Sequence, residues 1–209
     1  RRITRRQLRV LGYHGGSMGD EVCFNPKLFM RRETFVQRLT WIEEKNYQVW
    51  SLDAAIDQLS NHLPLPHRAV VLTFDDGHRG NIEHLLPIVQ SEALPVTLYI
   101  ATGHVESGQP YWFDRMVNQL QSDRVINLDL RRFNMGQHRI NDIRGPQNWA
   151  KIQKLLVAVK SLPADQCDPV ANAILQQVPA SSPAVMTPLT PAEVTELSRC
   201  SNIILGAHT

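Results

Sequence analysis

Two adjacent carboxylates, Asp75 and Asp76, followed by Gly77, close the apolar run Ala69-Val70-Val71-Leu72-Thr73-Phe74. Removing such charges from water costs several kcal/mol unless something pairs them, and a metal ion is a natural partner. A second apolar run, Ile203-Ile204-Leu205-Gly206-Ala207, leads into His208. Catalytic groups of parallel α/β folds collect at the carboxyl ends of strands, so both features could serve one site. Neighbouring residues of an extended strand point to opposite faces, so both carboxylates reach one site only where the strand breaks, and Gly77 permits that break. One aspartate can then hold a divalent ion while the other takes a proton from an activated water, which is the chemistry of hydrolysis. Mixed histidine and carboxylate donors suit Zn²⁺ and related ions, with about three protein ligands at a catalytic zinc. The chain offers Asp76 and His208 toward that set. Taken singly, Asp-Asp-Gly reads as a turn and His208 as a structural residue. Their placement after two apolar strands points to a site.

The elements that must position these residues alternate between strand and helix, which predicts an α/β layout with parallel strands. Residues 8–14 read as a first strand, followed by a loop through Gly15, Gly16 and Gly19. Phe35, Leu39, Ile42 and Tyr47 trace a helix that begins near Arg32 and stops around Asn46. Residues 48–51 form a short strand, and Ser51 or Asp53 can cap the helix that follows to about Leu59. Strand 69–74 comes next. Ile82, Leu85, Leu86, Val89 and Leu94 then form a helical face with Pro87 in its middle, which predicts a kink. Residues 96–100 are a further strand. Phe113, Met116, Val117 and Leu120 indicate a helix. Ile126, Leu128 and Leu130 alternate as a strand that can turn through Asn134-Met135-Gly136 and return along 138–140. Trp149, Ile152, Leu155, Leu156 and Val159 mark another helix, and Val170, Ile174 and Val178 a weaker one. A proline-rich stretch precedes a short helix capped by Thr190, with Glu193 in capping-box spacing.

Composition narrows the class. Hydrophobic residues make up 43% of the 209 and charged residues 20%, ordinary for a globular protein with a sizeable core. A formal net charge of +2 gives no argument for nucleic acid, and the run Arg1, Arg2, Arg5, Arg6 and Arg9 reads as a solvated tail. Cys23, Cys167 and Cys200 are too few and too scattered for a disulfide framework. No segment approaches the roughly 20 apolar residues of a membrane span, and the start has no apolar stretch of a signal peptide. The chain begins without Met, so a cytoplasmic or a cell-envelope location is compatible with it.

Thr73-Phe74-Asp75-Asp76-Gly77 resembles the first signature motif of the polysaccharide deacetylase family, and Gly206-Ala207-His208-Thr209 resembles the opening of its second motif, His-Ser/Thr-x-x-His. Val10-Leu11-Gly12-Tyr13-His14-Gly15, Leu94 to Ile100, Tyr111-Trp112-Phe113-Asp114 and Leu189-Thr190-Pro191 are similar to the family as well. The resemblance implies a distorted (β/α) barrel, of which these residues form the N-terminal part, as one domain over 1–209 with a mostly helical insertion at 123–182. It implies a metal-dependent hydrolase that removes acetyl groups from an N-acetylated polysaccharide or oligosaccharide. Asp75 is then the general base, Asp76 a ligand and His208 the first histidine ligand of a divalent metal: Zn²⁺, or else Co²⁺, Ni²⁺ or Mn²⁺. The second histidine of that motif and the later motifs fall beyond Thr209, so the isolated chain is expected to hydrolyse nothing.

Other residues are candidates for contact with substrate. His14 follows a strand end, and Trp112, with His104, falls on the loop after strand 96–100, where an aromatic ring can stack on a sugar. His78 reads as a partly exposed histidine at a helix start. Two competing functions are a non-catalytic carbohydrate-binding or assembly protein of the same fold and an amidohydrolase acting on a non-sugar C–N bond.

Overall fold

In the computed structural model, which describes residues 7–16, 28–120, 125–140, 146–178 and 186–208, the apolar runs become strands of a parallel sheet. In chain order the elements are β1 (Arg9–Tyr13), β2 (Gly15–Gly16), β3 (Phe29–Met30), α1 (Arg32–Glu44), β4 (Gln48–Val49), α2 (Leu52–Ser60), β5 (Ala69–Phe74), α3 (Leu86–Ser91), β6 (Val96–Ile100) and α4 (Thr102–Ser107), with β2 and β3 paired to each other in a separate small sheet. After a second group of elements, α8 (Pro191–Leu197) leads to β9 (Ile203–Ala207), which joins the parallel sheet. Its order is β1-β5-β6-β9, with β4 also paired to β5, and every pairing is parallel. All six residues of β5 are buried, as a strand covered on both faces requires. Phe35, Leu72, Phe74, Leu85 and Leu98 form the centre of this core.

Register decides what the sheet presents at its carboxyl edge. Tyr13 pairs with Phe74, Phe74 with Leu98, and Leu98 with Leu205, so the four strands are in step. The ladder runs one bond further at each end of the site: the Asp75 amide donates to the Tyr13 carbonyl at 2.7 Å, and the His208 amide to the Ile100 carbonyl at 2.8 Å. His14, Asp75 and His208 therefore leave the sheet along one edge.

Local signals placed the helices closely. Ser51 Oγ accepts from the Ala54 amide and starts α2, and Thr190 with Glu193 forms a complete capping box on α8. The segment around Pro87 differs from expectation. A π-helical turn, Asn81–Leu85, precedes α3, and Pro87 stands in the first turn of α3, where its missing N–H costs nothing. The irregularity thus falls in the wide turn directly before the proline.

Two compact units result, one made of Arg1–Gln109 with Thr187–Thr209, the other of Pro110–Met186. The second contains α5 (Trp112–Leu120), the antiparallel hairpin β7 (Ile126–Asp129) and β8 (Gln137–Ile140), α6 (Pro146–Lys160) and α7 (Ala164–Leu175). Asn134 and Gly136 take the left-handed backbone that the hairpin connection needs. Ile152, Leu155, Val159, Val170 and Ile174 supply its buried apolar faces, and residues 123–182 fall inside it. Among the described residues no helix is long and apolar enough to cross a membrane. Cys23 and Arg1, Arg2, Arg5 and Arg6 lie outside the described residues, whereas Cys167 and Cys200 are free thiols.

Candidate active site

The chain leaves β5 through a turn that begins earlier than Gly77. Asp76 already has φ +69 and Gly77 follows with φ +67, while the Gly77 amide donates back to the Asp75 carbonyl at 2.9 Å. Aspartate is one of the few non-glycine residues that enters this region at tolerable cost. Two successive left-handed residues end the alternation of the strand and turn the two carboxylates into different surroundings. Asp75 stays beside β1: a Cβ built on Gly12 would stand 3.9 Å from its Oδ2.

Asp76 turns toward histidines. Its Oδ1 is 3.6 Å from His208 Nε2, and its Oδ2 is 3.5 Å from His78 Nε2. The Asp76 side chain is only 12% exposed, against 32% for that of His208. Burial alone would favour a neutral carboxyl, but the hydrogen bond and charge of His78, then the charges of His14 and His208, outweigh it. The Asp76 carboxyl is held below the ordinary carboxylate range.

His14 is brought to this cluster by a residue that sequence patterning did not single out. Asn81 is fully buried; its Nδ2 donates to the His14 carbonyl at 2.9 Å and its Oδ1 accepts from the Gly16 amide at 3.0 Å. The side chain thus ties the chain after β1 to the π-helical turn after β5. A single Asn among loop residues carries no distinguishing signal, because asparagine is common in turns for other reasons.

Two expectations about surroundings change. His78 is 4% exposed and not a partly exposed helix start: it forms an isolated antiparallel bridge with Pro188, and its ring meets Phe29 edge-on at 5.2 Å. His104 and Trp112 are not on a loop. His104 lies in α4, with Nδ1 2.8 Å from the Gln109 carbonyl, and Trp112 opens α5 in the second unit, its ring edge-on to Phe113. The structure therefore gathers Asp75, Asp76, His14 and His208 in the first unit, with His78 added, while Trp112 belongs to the other.

The donor chemistry can be tested against a divalent cation. A carboxylate oxygen and an imidazole nitrogen from two separate strands face each other at 3.6 Å, and the carboxylate is held in the charged form that binding requires. The pair fits as part of a ligand set. Among the described residues no group of three or more His, Cys, Asp or Glu is arranged to hold an ion, so a catalytic set of about three protein donors would need another besides Asp76 and His208.

Comparison with known proteins bears on the same strand end. Residues 62–126, which contain β5 and the Asp75-Asp76-Gly77 turn, match the pattern of a family described as polysaccharide deacetylase. The poly-β-1,6-N-acetyl-D-glucosamine N-deacetylase of Escherichia coli strain K12 is 32% identical over 76 residues, covering 36% of this chain and 11% of that relative. The chain thus spans about a tenth of the length of the curated relatives it matches first. Among solved structures, the BpsB deacetylase domain of Bordetella bronchiseptica is 18% identical, with 96% of this chain and 54% of that one covered and a TM-score of 0.44. A de-N-acetylase from Aggregatibacter actinomycetemcomitans is 24% identical over 50% of this chain and 42% of that one, with a TM-score of 0.43. His208 falls outside the deacetylase match, so its place beside Asp76 is information from the fold alone.

Proposed function

We propose that this chain carries part of the catalytic centre of a metal-dependent deacetylase acting on an N-acetylated sugar polymer. The observation that carries this reading is the approach of His208, at the end of β9, to Asp76, at the end of β5, with β6 lying between the two strands. Side chains so far apart in sequence have no local reason to converge, and a carboxylate beside an imidazole at a sheet's carboxyl edge suits a divalent cation. The family match over residues 62–126 and the name of the Escherichia coli relative support an N-acetylglucosamine polymer as the substrate class.

In this reading Asp76 and His208 hold the ion, Zn²⁺ or a neighbouring divalent metal. The ion would supply Lewis acidity and would lower the pKa of a water on it, with zinc to about 7. Asp75 takes a proton at its carboxylate, from its position beside β1 and apart from the His78 contact that occupies Asp76. The left-handed turn at Asp76 and Gly77 lets two consecutive carboxylates perform different tasks. His14, held through its carbonyl by Asn81, would contact substrate in this reading.

The test separates the two aspartates. Asp76→Asn and His208→Ala are expected to weaken Zn²⁺ binding at least about tenfold, measured by competition with a chromophoric chelator. In a full-length version that also carries the later motifs, Asp75→Asn is expected to leave Zn²⁺ affinity intact and to lower acetate release from N-acetylglucosamine oligomers by about 10²–10⁴-fold. Unchanged Zn²⁺ affinity in Asp76→Asn, or full acetate release in Asp75→Asn, overturns the assignment.

A further inference from the structure

The carboxylate of Asp76 is shared between two imidazoles, one oxygen to each. Oδ1 faces Nε2 of His208 at 3.6 Å, and Oδ2 faces Nε2 of His78 at 3.5 Å. The two histidines reach it by different routes. His208 arrives on β9 and keeps a third of its side chain exposed, whereas His78 is almost wholly buried directly after the turn.

The backbone around His78 is clamped on both sides. The Arg79 amide donates to the Thr187 carbonyl at 2.9 Å, the Leu189 amide donates to the Gly77 carbonyl at 2.9 Å, and the Asn81 amide donates to the His78 carbonyl at 3.0 Å. Phe29 closes over the ring from the side. A ring so confined has few rotamers open to it, and the nitrogen it directs at Oδ2 meets little competition from water.

A volume-filling role does not account for this placement. An apolar ring would fill the space beside Phe29 equally well and would leave Oδ2 of a mostly buried carboxylate without the His78 nitrogen. Direct ligation together with His208 does not follow either, because the two nitrogens face different oxygens of the carboxylate. The χ2 torsion of aspartate is broad, and the His78 contact on Oδ2 bears on it.

We propose that His78 is a positioning residue: through Nε2 it holds Oδ2 of Asp76 and so presents Oδ1 to the His208 side as a fixed donor. The inference rests on the reading of Asp76 and His208 as the ion-holding pair. Partners of this kind, one shell behind the ligands, orient the ligating group, and their loss typically weakens metal affinity about 10–100-fold.

The experiment uses the full chain with Zn²⁺ in competition with a chromophoric chelator, and with Co²⁺ for its visible absorption. His78→Phe keeps a ring against Phe29 and removes the nitrogen; it is expected to lose about 10–100-fold in Zn²⁺ affinity. His78→Gln can return an N–H to Oδ2 and is expected to stay within about threefold of the unchanged chain, with the Co²⁺ bands at the same positions, because the ligand set is the same. A space-filling role predicts the reverse order of the two variants. His78→Phe at full affinity overturns the inference. If His78→Phe does not fold, as judged by near-ultraviolet circular dichroism, His78→Gln decides alone, and a loss beyond about tenfold there, or displaced Co²⁺ bands, overturns it by making His78 a ligand. An unchanged chain that binds no Zn²⁺, or an Asp76→Asn variant that binds it undiminished, overturns the ion-holding pair itself and the inference with it. Dependence on Asp76 with indifference to His78 overturns the inference alone.

Discussion

Asn81 shows how one side chain can hold a site through its backbone. Its amide spans the gap between the segment after β1 and the π-helical turn, satisfying the His14 carbonyl and the Gly16 amide at once. Truncation leaves both backbone groups without this partner in a place where water has little access. Asn81→Ala is therefore expected to cost about 2–3 kcal/mol, read from the urea midpoint of unfolding, with His14 losing its tether. The types of residue at the site were legible in the sequence: Asp75, Asp76 and His208 stood out because charged or titratable groups followed apolar strands. His78 and Asn81 were not legible. The burial of His78 is produced by the strand-like segment at 187–189 laid across it, and nothing in Gly77-His78-Arg79 announces that distant cover.

At the scale of elements, the turn after β5 is the part on which the site depends. Gly77 combines φ +67 with close packing: a Cβ there would meet Ile100 Cγ2 at 3.0 Å. Both effects oppose any side chain, and the left-handed conformation alone costs a non-glycine residue about 1–2 kcal/mol. Gly77→Ala is expected to lower stability by at least that amount by urea unfolding, and to weaken Zn²⁺ binding by displacing Asp76, which shares the turn. Helix boundaries and strand positions followed closely from caps and from apolar spacing, since both are local. The start of α1 at Arg32, the Ser51 cap, the Thr190 capping box and the strand at 96–100 all stand where side-chain pattern placed them. The π-helical turn did not, because apolar spacing carries no mark of its wider backbone; only Pro87 directly after it, which has no N–H to donate, marks the segment.

Across the whole sheet, stability should be graded from the centre outward. β5 is buried along its full length and is paired with both β1 and β6, so its amides are expected to exchange with solvent most slowly. The amides of β1, whose Val10 is 52% exposed, should exchange sooner in native-state hydrogen exchange. Equal protection of β1 and β5 would contradict this grading. The amino-acid sequence by itself determined the chemical groups available, the alternation of strands and helices, and the likeness of the segment around the paired aspartates to a deacetylase motif. Only the tertiary structure decided that β9 lies beside β6 in the same register as β5, and hence that His208 meets one oxygen of Asp76 while His78 meets the other. Local pattern is set by neighbours along the chain, whereas a meeting of side chains so far apart in sequence is set by strand order and register, which are properties of the packed sheet as a whole.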